Sequence, residues 1–406
     1  MPNPSPQSMI LSLCMIVKNE EATLPSCLKS VQGVVDEMIV LDTGSSDRTP
    51  EIAKSFGAKV HFFEWSNDFS AARNESLKYV QGDWILVLDA DERLAPGIVP
   101  ALRQTIGSEQ PYLLISLVRQ EIGAEQSPYS LVSRLFRNHP DISFVRPYHA
   151  MVDESVSLIQ SMEPHWQVGY LPEVAILHEG YQAGAIAGRD KFTKARTAME
   201  GFLKHHPSDP YVCSKLGALY VQMNEVPQGI ELLKRGLTSK AADASVLYEL
   251  HYHLGIAYSR LQQWAKAEQH YQLALQQSIM PKLKLGAYNN LGNLLKAKGD
   301  LVGAKGVYET TLKIDSTFAP GYYNLGMTFK ALGDLSHAIA AYREALFLQP
   351  NYADAHQNLG VALWKLGQVQ ESLTAFRQAI ALHQQNNNPL EAQRLRQGLK
   401  EMGFEL

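Results

Sequence analysis

The sequence is short of the features that mark three classes of protein. Three cysteines stand in 406 residues with no C-x-x-C spacing, so neither a disulfide framework nor a zinc cluster is indicated. No stretch approaches the ~20 uninterrupted apolar residues of a transmembrane helix, although this does not exclude association with a membrane surface. The 37 Lys and Arg against 41 Asp and Glu give a net charge of -4, which supplies no reason to expect a nucleic-acid partner. We therefore expect a cytoplasmic protein in which any site for an anion is local.

The first part of the chain alternates between strand and helix patterns. Residues 1–9, which contain Pro2, Pro4 and Pro6, are predicted to form a loose tail. Short apolar runs then alternate with helices of about three turns, which predicts right-handed βαβ units and a mostly parallel sheet. Beyond Asp91 the pattern loosens, but further strands are expected. The predicted strands cover residues 10–17, 37–41, 59–63, 84–88, 112–118, 134–137, 144–152 and 174–177.

Two carboxylates follow the fourth predicted strand. The five apolar residues from Trp84 to Leu88 lead directly into Asp89-Ala90-Asp91. Ligands of open parallel sheets bind at the carboxyl ends of strands, and closely spaced carboxylates there are naturally compensated by a hard divalent cation. We therefore predict that Asp89 and Asp91 hold Mn²⁺ or Mg²⁺ on a diphosphate. The plain alternative is a strand that ends in solvated acids at a turn.

Other polar groups are expected at the same edge because they follow neighbouring strands. Lys18-Asn19-Glu20 follows the first strand, and Asp42 opens a loop of Gly and Ser residues after the second. Asp42 is a candidate acceptor for a base or a ribose hydroxyl, or it caps a turn before a helix. Arg73, at the start of the third predicted helix, could face a diphosphate or be a solvated surface charge.

Candidates for ligand binding and proton transfer lie further along the chain. His149 and His178 each follow or end a predicted strand, and each is either a metal or phosphate ligand or a structural histidine. Asp141, Asp153 and Glu154 are candidate general bases. The residues alone do not choose among these three carboxylates.

From about residue 189 the composition changes to continuous helix formers. A linker helix is predicted over residues 189–210, and about five helical repeats over residues 211–406, with a polar capping helix near the end. Leu-Gly pairs recur, and the last three are spaced by 34 residues, which is the tetratricopeptide (TPR) period. Gly299, Gly333 and Gly367 recur with them and mark predicted turns between paired helices. The expected architecture is therefore an α/β domain followed by an all-α solenoid.

Four blocks of the first domain stand in order with characteristic spacing: residues 13–21, 41–47, 68–74 and 88–92. These blocks resemble family 2 glycosyltransferases of the GT-A fold, in particular a SunS-like bacterial subgroup that carries C-terminal TPR repeats. The resemblance implies a GT-A domain over residues 10–188 and sugar transfer with inversion at the anomeric carbon. The donor would be a UDP-sugar or a similar nucleotide-sugar.

The resemblance also assigns roles to individual residues. It implies that Asp89 and Asp91 hold Mn²⁺ or Mg²⁺ and that His178, in a late His-x-Gly-Tyr block, completes the metal or phosphate site. The nucleotide-sugar would be bound by Val17, Asn19, Glu20, Asp42, Arg73, Asn74 and Asp89.

One block departs from the family pattern. Relatives carry an acidic residue beside the histidine near position 149, whereas this chain has Ala150 after His149. The assignment of the base is therefore open among His149, Asp153 and Glu154, of which the two acids are candidate substitutes.

The repeats resemble those attached to O-GlcNAc transferases. Asn290, Asn324 and Asn358 each precede a Leu-Gly pair, so they should stack along one face of the solenoid. Such a ladder of carboxamides can hold a peptide backbone, which implies a protein or peptide in the groove. The alternative is that these asparagines pack helices together and recur because the repeat was duplicated.

These observations favour a metal-dependent, inverting glycosyltransferase that acts on a protein or a cell-envelope glycan. Two other functions stay open. In one, the chain is a TPR scaffold whose transferase domain is inactive, as the altered block at 148–150 permits. In the other, it is a nucleotidyltransferase, which would need a basic, glycine-rich loop after the first strand, where Lys18-Asn19-Glu20 stands instead.

Overall fold

The structure is a computed structural model that describes residues 10–124, 127–146, 148, 150–179 and 189–404. The chain divides after Asn224 into two compact units. Each unit has its own secondary-structure class, α/β in the first and all-α in the second.

The first unit is built on a mixed sheet. Its strands are β1 Leu11–Val17, β2 Glu37–Asp42, β3 Lys59–Phe62, β4 Trp84–Val87, β5 Glu92–Leu94, β6 Tyr112–Glu121, β7 Tyr129–Arg137 and β8 Gln167–His178. Among the described residues the strand order is β3-β2-β1-β4-β7-β6-β8-β5. Strands β3, β2, β1 and β4 are mutually parallel, as are β6 and β8, whereas β7 is antiparallel to both of its neighbours and β5 is antiparallel to β8. The predicted βαβ part of the sheet is confirmed.

Helices cover both faces of this sheet. They are α1 Leu24–Val31, α2 Thr49–Ser55, α3 Phe69–Leu77, α4 Val99–Ile106 and α5 Asp153–Met162, and two further helices, α6 Arg189–Leu203 and α7 Pro210–Gln222, follow the sheet and contact each other. Successive strand residues point to opposite faces, so Leu13 and Met15 pack in one core with Leu28 of α1, and Cys14 packs in the other with Val156 of α5. Burial on both faces explains why the parallel strands read as continuous apolar runs.

The predicted strand over residues 144–152 is wrong. The structure has a single antiparallel bridge there, between Val145 and Met151. Arg146 lies between them with φ 76°, a left-handed conformation that turns the chain back instead of extending it. The described residues of this range therefore do not form a strand, and the bridge joins Val145 to Met151.

The second unit consists of helices that pack in sequential pairs. They are α8 Val226–Leu237, α9 Ala244–Arg260, α10 Trp264–Leu275, α11 Leu285–Ala297, α12 Leu301–Ile314, α13 Ala319–Ala331, α14 Leu335–Leu348, α15 Ala353–Lys365, α16 Val369–Gln385 and α17 Pro389–Glu401. Gly333 has φ 83° in the turn between α13 and α14, as predicted from the recurring glycines. A Cβ on Gly326 would lie 2.7 Å from the ring of Tyr342, so glycine is needed for these two helices to approach. In the described part of the chain, no helix has the length and apolarity needed to cross a membrane.

Candidate active site

The loops after β1, β2 and β4 lie at one edge of the sheet. Val17, the last residue of β1, pairs with Asp42, and Cys14 pairs with Val87 of β4. The carbonyl oxygen of Val17 accepts hydrogen bonds from the backbone N–H and the hydroxyl of Thr43, at 2.9 and 3.0 Å. The structure thus brings the first, second and fourth predicted strand ends together.

The loop after β1 is bonded to the loop after β2. Asn19, with φ 56°, accepts a hydrogen bond at its Oδ1 from the backbone N–H of Ser46 at 2.8 Å, and its own N–H donates to Ser45 Oγ at 2.9 Å. The N–H of Glu20 donates to Thr49 Oγ1 at 2.7 Å. These bonds fix the two loops relative to each other before any ligand arrives.

Asp42 has one carboxylate oxygen that the protein leaves unsatisfied. Its side chain is buried, with 4% of its surface exposed. Oδ2 accepts hydrogen bonds from the N–H groups of Gly44 and Ser45 at 3.1 and 3.0 Å, whereas Oδ1 is buried and has no donor in the described part of the chain. A buried carboxylate oxygen without a donor is costly, so a ligand N–H or O–H that reached this atom would satisfy it.

Asp89 is held between two arginines, Arg73, which is buried, and Arg134, which is partly buried. Arg73 Nη2 donates to Oδ1 at 2.6 Å, and Arg134 Nη2 donates to Oδ2 at 2.7 Å. Burial alone would raise the pKa of Asp89, but the two guanidinium charges outweigh it and hold the pKa far below its ordinary value. Arg73 is 7% exposed and its guanidinium lies over the ring of Phe144, so it is not a solvated surface charge.

Arg134 was not singled out from the sequence, although it lies in a predicted strand. The pairing of β6 with β7 shifts by one residue here, since Ile115 pairs with Leu135 and Ser116 with Ser133. Arg134 is the extra residue of this β-bulge, a device that often turns a side chain toward a site. Its Nη1 is buried and has no partner among the described residues. The only signal was an arginine inside an otherwise largely apolar strand pattern.

Asp91 meets His178 across the pairing of β5 with β8. His178 Nε2 lies 3.2 Å from Asp91 Oδ2, and its Nδ1 lies 2.5 Å from Glu121 Oε2. Burial would lower the pKa of His178, but hydrogen bonds to Asp91 and Glu121 raise it to about 9. Burial raises the pKa of Glu20, and the charges of Asp91 and Asp89 act in the same direction, which places the β1 loop near this cluster.

A second group of charged side chains bonds to Asp89 and His178. Arg119 donates to Glu92 at 2.8 Å and to Glu121 at 2.9 Å, and Glu92 is fully buried. Glu92 Oε2 in turn accepts from the backbone N–H of Asp89 at 2.8 Å. The signal in the sequence was the alternation of Arg119 and Glu121 on one face of a strand, which predicts that both side chains point the same way.

The donor atoms present fit a divalent ion only in part. The carboxylate of Asp91 and Nε2 of His178 are adjacent oxygen and nitrogen donors of the kind such ions accept. Both oxygens of Asp89 are already occupied by guanidinium groups. Among the described residues, no group of three or more His, Cys, Asp or Glu side chains is placed to hold a metal. An ion here would take its remaining ligands from a bound diphosphate and water.

The comparisons with known proteins agree with this arrangement. A family model described as glycosyl transferase family 2 matches residues 12–169, and TPR models match residues 250–281, 328–367 and 353–386. The chain has a glycosyl transferase family 2 domain followed by TPR repeats. It is 46% identical over 292 residues to a TPR repeat-containing protein of Synechococcus elongatus, covering 72% of each chain.

Two further relatives of this glycosyltransferase are more distant. It is 25% identical over 230 residues to the glycosyltransferase SunS of Bacillus subtilis, covering 55% of this chain and 52% of that one. It is 27% identical over 198 residues to an uncharacterized glycosyltransferase of Rickettsia bellii, covering 47% of this chain and 67% of that one. The chain thus spans about half the length of SunS.

Some predicted site residues of the glycosyltransferase domain have other partners. Asn74 uses its carboxamide on the backbone of Phe144, donating at 2.9 Å and accepting at 2.7 Å, and so anchors the loop over residues 144–152. Asp153 accepts from Ser133 Oγ at 2.8 Å, and Glu154 pairs with Arg146 at 2.5 Å. His149 lies outside the described residues.

The three asparagines of the repeats bond to the preceding repeat. Asn290 donates to Tyr252 Oη at 3.3 Å, and Asn358 donates to Tyr323 Oη at 3.2 Å. Asn324 is buried and donates to Asn289 at 2.8 Å. These contacts favour the helix-packing alternative for Asn324, while the peptide-binding role of Asn290 and Asn358 stays a prediction.

Proposed function

We propose that the first unit transfers a sugar, with inversion, from a nucleotide-sugar of the UDP type to a protein or a cell-envelope glycan, and that the repeats bind a protein. The observation that carries this proposal is the buried, unpartnered Oδ1 of Asp42, at the same sheet edge as the Asp89 and Asp91 cluster. A uracil N3–H or a ribose hydroxyl would supply the missing donor. Most buried carboxylate oxygens in proteins have a hydrogen-bond donor, and a nucleotide would give this oxygen one.

The diphosphate is assigned to the arginine pair. A leaving diphosphate gathers negative charge, and fixed cations in a water-poor site stabilise that charge best. Asp89 holds Arg73 and Arg134 in place, and the unpartnered Nη1 of Arg134 is left to donate. In this account Asp89 is a positioning residue that acts through the two arginines.

Asp91 and His178 would hold Mn²⁺ or Mg²⁺, and we assign the ion to them and not to Asp89. When bound, such an ion stabilises the charge of the leaving diphosphate without proton transfer. Glu121 orients His178 through Nδ1, and Arg119 holds Glu121 in position. Each oxygen of Asp89 already accepts from an arginine, so we give Asp89 the weaker claim as a metal ligand, although each oxygen keeps a second lone pair.

We assign the general base to Asp153 in preference to Glu154. Asp153 bonds to Ser133, which directly precedes the bulged Arg134, so its carboxylate is tied to the strand that delivers the arginine. Glu154 is engaged by Arg146, and its side chain is 56% exposed. A charge paired with arginine is a poorer base than one that accepts from a hydroxyl.

The test is a panel of UDP-, GDP- and dTDP-sugars, assayed for binding and slow hydrolysis with and without Mn²⁺. We expect a UDP-sugar to be bound and hydrolysed, with Mn²⁺ required for hydrolysis, and the first anomer released to be inverted when followed by NMR. If the wild-type chain binds no nucleotide-sugar under either condition, the proposal fails and the TPR scaffold becomes the better account.

A further inference from the structure

Three lysines stand near the carboxyl ends of the first helices of successive repeats. Lys296, Lys330 and Lys365 stand at or near the ends of α11, α13 and α15, the first helices of three consecutive pairs, at spacings of 34 and 35 residues. These first helices contact one another, α11 with α13 and α13 with α15. The three lysines therefore lie in order along the carboxyl ends of these neighbouring helices, and we call them the lysine row.

The members of the lysine row repel one another. Burial lowers the pKa of Lys296, and the charge of Lys330 lowers it further. Burial likewise lowers the pKa of Lys330, with the charge of Lys365 acting in the same direction. Lys296 and Lys330 are half-buried, so their repulsion is only partly screened by water.

The described residues supply no ion-pairing partner to the row. In the described part of the second unit, no carboxylate lies within ion-pairing distance of these three lysines, and Lys330 Nζ donates instead to the neutral Oδ1 of Asn358, at 2.5 Å. Other lysines of the same repeats are paired, Lys298 with Glu268 at 2.5 Å and Lys305 with Glu309 at 3.5 Å. Repulsion between partly desolvated like charges costs free energy, and an anionic partner would offset that cost.

We propose that the lysine row binds an acidic stretch of extended polypeptide. This rests on the proposed protein partner of the repeats and names its chemistry. Packed helices lie about 8–10 Å apart, and a chain in the extended polyproline II conformation advances about 3.1 Å per residue with about three residues per turn, so carboxylates three residues apart lie on one face and would meet successive lysines. The partner is thus an Asp- or Glu-containing segment with acids at every third position.

The test uses the full chain and a labelled 12-residue peptide with Glu at every third position in a Gly/Ser background. The matched peptides carry Gln or Lys at the same positions. We expect the Glu peptide to bind at least about 10-fold more tightly than the Gln peptide, to weaken as salt rises, and the Lys peptide not to bind. Equal affinity for the Glu and Gln peptides would overturn the proposal, as would tighter binding of a 12-nucleotide single-stranded RNA.

A pair of triple variants locates the site. The variant Lys296→Gln, Lys330→Gln, Lys365→Gln should lose at least about 10-fold in affinity for the Glu peptide. The variant Lys298→Gln, Lys305→Gln, Lys313→Gln removes the same charge elsewhere in these repeats and should change affinity less than about 3-fold. Because the first variant relieves repulsion, it should melt no lower than the wild type. Equal losses of affinity in both variants would show general charge attraction and would contradict a specific peptide site at the lysine row.

The Asp42→Asn variant separates this inference from the proposed transfer. We expect it to bind nucleotide-sugar poorly and to keep the wild-type affinity for the Glu peptide. If no nucleotide-sugar binds but the Glu peptide does, the proposed sugar transfer is wrong and the proposed peptide site is supported. If nucleotide-sugar binds and the Glu peptide does not, only the proposed peptide site at the lysine row is wrong.

Discussion

The two units differ in whether charged side chains that are shielded from water have an oppositely charged partner. In the first, the charges of the cluster around Asp89 meet opposite charges from the same chain: Asp89 meets two arginines, and Arg119 meets Glu92 and Glu121. In the second, the lysine row has no such partner among the described residues. Charges that are paired internally are preorganised for chemistry, whereas uncompensated charges are matched to a partner from outside.

The strongest way to break the paired cluster is Asp91→Asn. It removes the carboxylate beside His178 while keeping the size of the side chain. We expect the rate of nucleotide-sugar hydrolysis to fall by about 10²–10³-fold, because stabilisation of the leaving diphosphate is lost. The control is Asp83→Asn, at the amino end of β4, and activity of Asp91→Asn within about 3-fold of this control would contradict the assignment.

Arg134→Gln tests whether the bulged arginine serves the ligand. We expect the Kd for a UDP-sugar to rise by about 10–100-fold, since a charge-assisted hydrogen bond is removed. Arg137→Gln, in the same strand, removes an arginine that lies over the ring of Trp84 and should have little effect on Kd. Comparable losses in both variants, measured by calorimetry at matched melting temperature, would assign Arg134 to stability alone.

Glu121→Gln sharpens the comparison because it removes the negative charge that faces His178. The imidazole of His178 would keep a hydrogen-bond partner but lose the charged one. We expect the Mn²⁺ concentration needed for half-maximal hydrolysis to rise by about 10-fold, while UDP-sugar binding without metal stays unchanged. A purely structural role would instead weaken the response to Mn²⁺ and the binding of UDP-sugar together, or change neither.

A pH titration tests the smaller uncompensated pair in the second unit. Nδ1 of His251 lies 3.0 Å from Nδ1 of His270, and burial, followed by the charges of His251 and Lys234, lowers the pKa of His270 to about 4. Since the unfolded state then binds the proton more readily, stability should fall as pH drops from about 6.5 to about 4 and level off below.

The variant His270→Gln should lose part of this dependence. We expect the melting temperature of the second unit to fall by about 2–4 °C less than that of the wild type between pH 7 and pH 4.5. Parallel curves for the two proteins, followed by circular dichroism, would show that the pair does not titrate as argued.

Local patterns predicted the parts of the fold that depend on neighbours in sequence. The strands β1 to β4 follow from short apolar runs, and the helix pairs from the 34-residue period with its glycines. Asp42, Asp89 and Asp91 followed from their positions after strands. In each case the deciding information lies within a few residues of the element.

The missed features depend on contacts between distant residues. The bulge at Arg134 exists only because β7 pairs with β6, and the carboxamide of Asn74 is used by Phe144, 70 residues away. The loop at 144–152 was read as a strand because its apolar residues do not reveal the left-handed Arg146. Register and long-range hydrogen bonds therefore set the limit of what the sequence alone could show.

The central claim is that the unpartnered oxygen of Asp42 receives a donor from a nucleotide. Its most direct test is calorimetric titration of a UDP-sugar into the wild type and Asp42→Asn. The carboxamide must use its single oxygen for Gly44 and Ser45, which leaves an NH₂ where the ligand needs an acceptor. The account predicts a loss of about 10–100-fold in affinity. Equal affinity of the two proteins would contradict it.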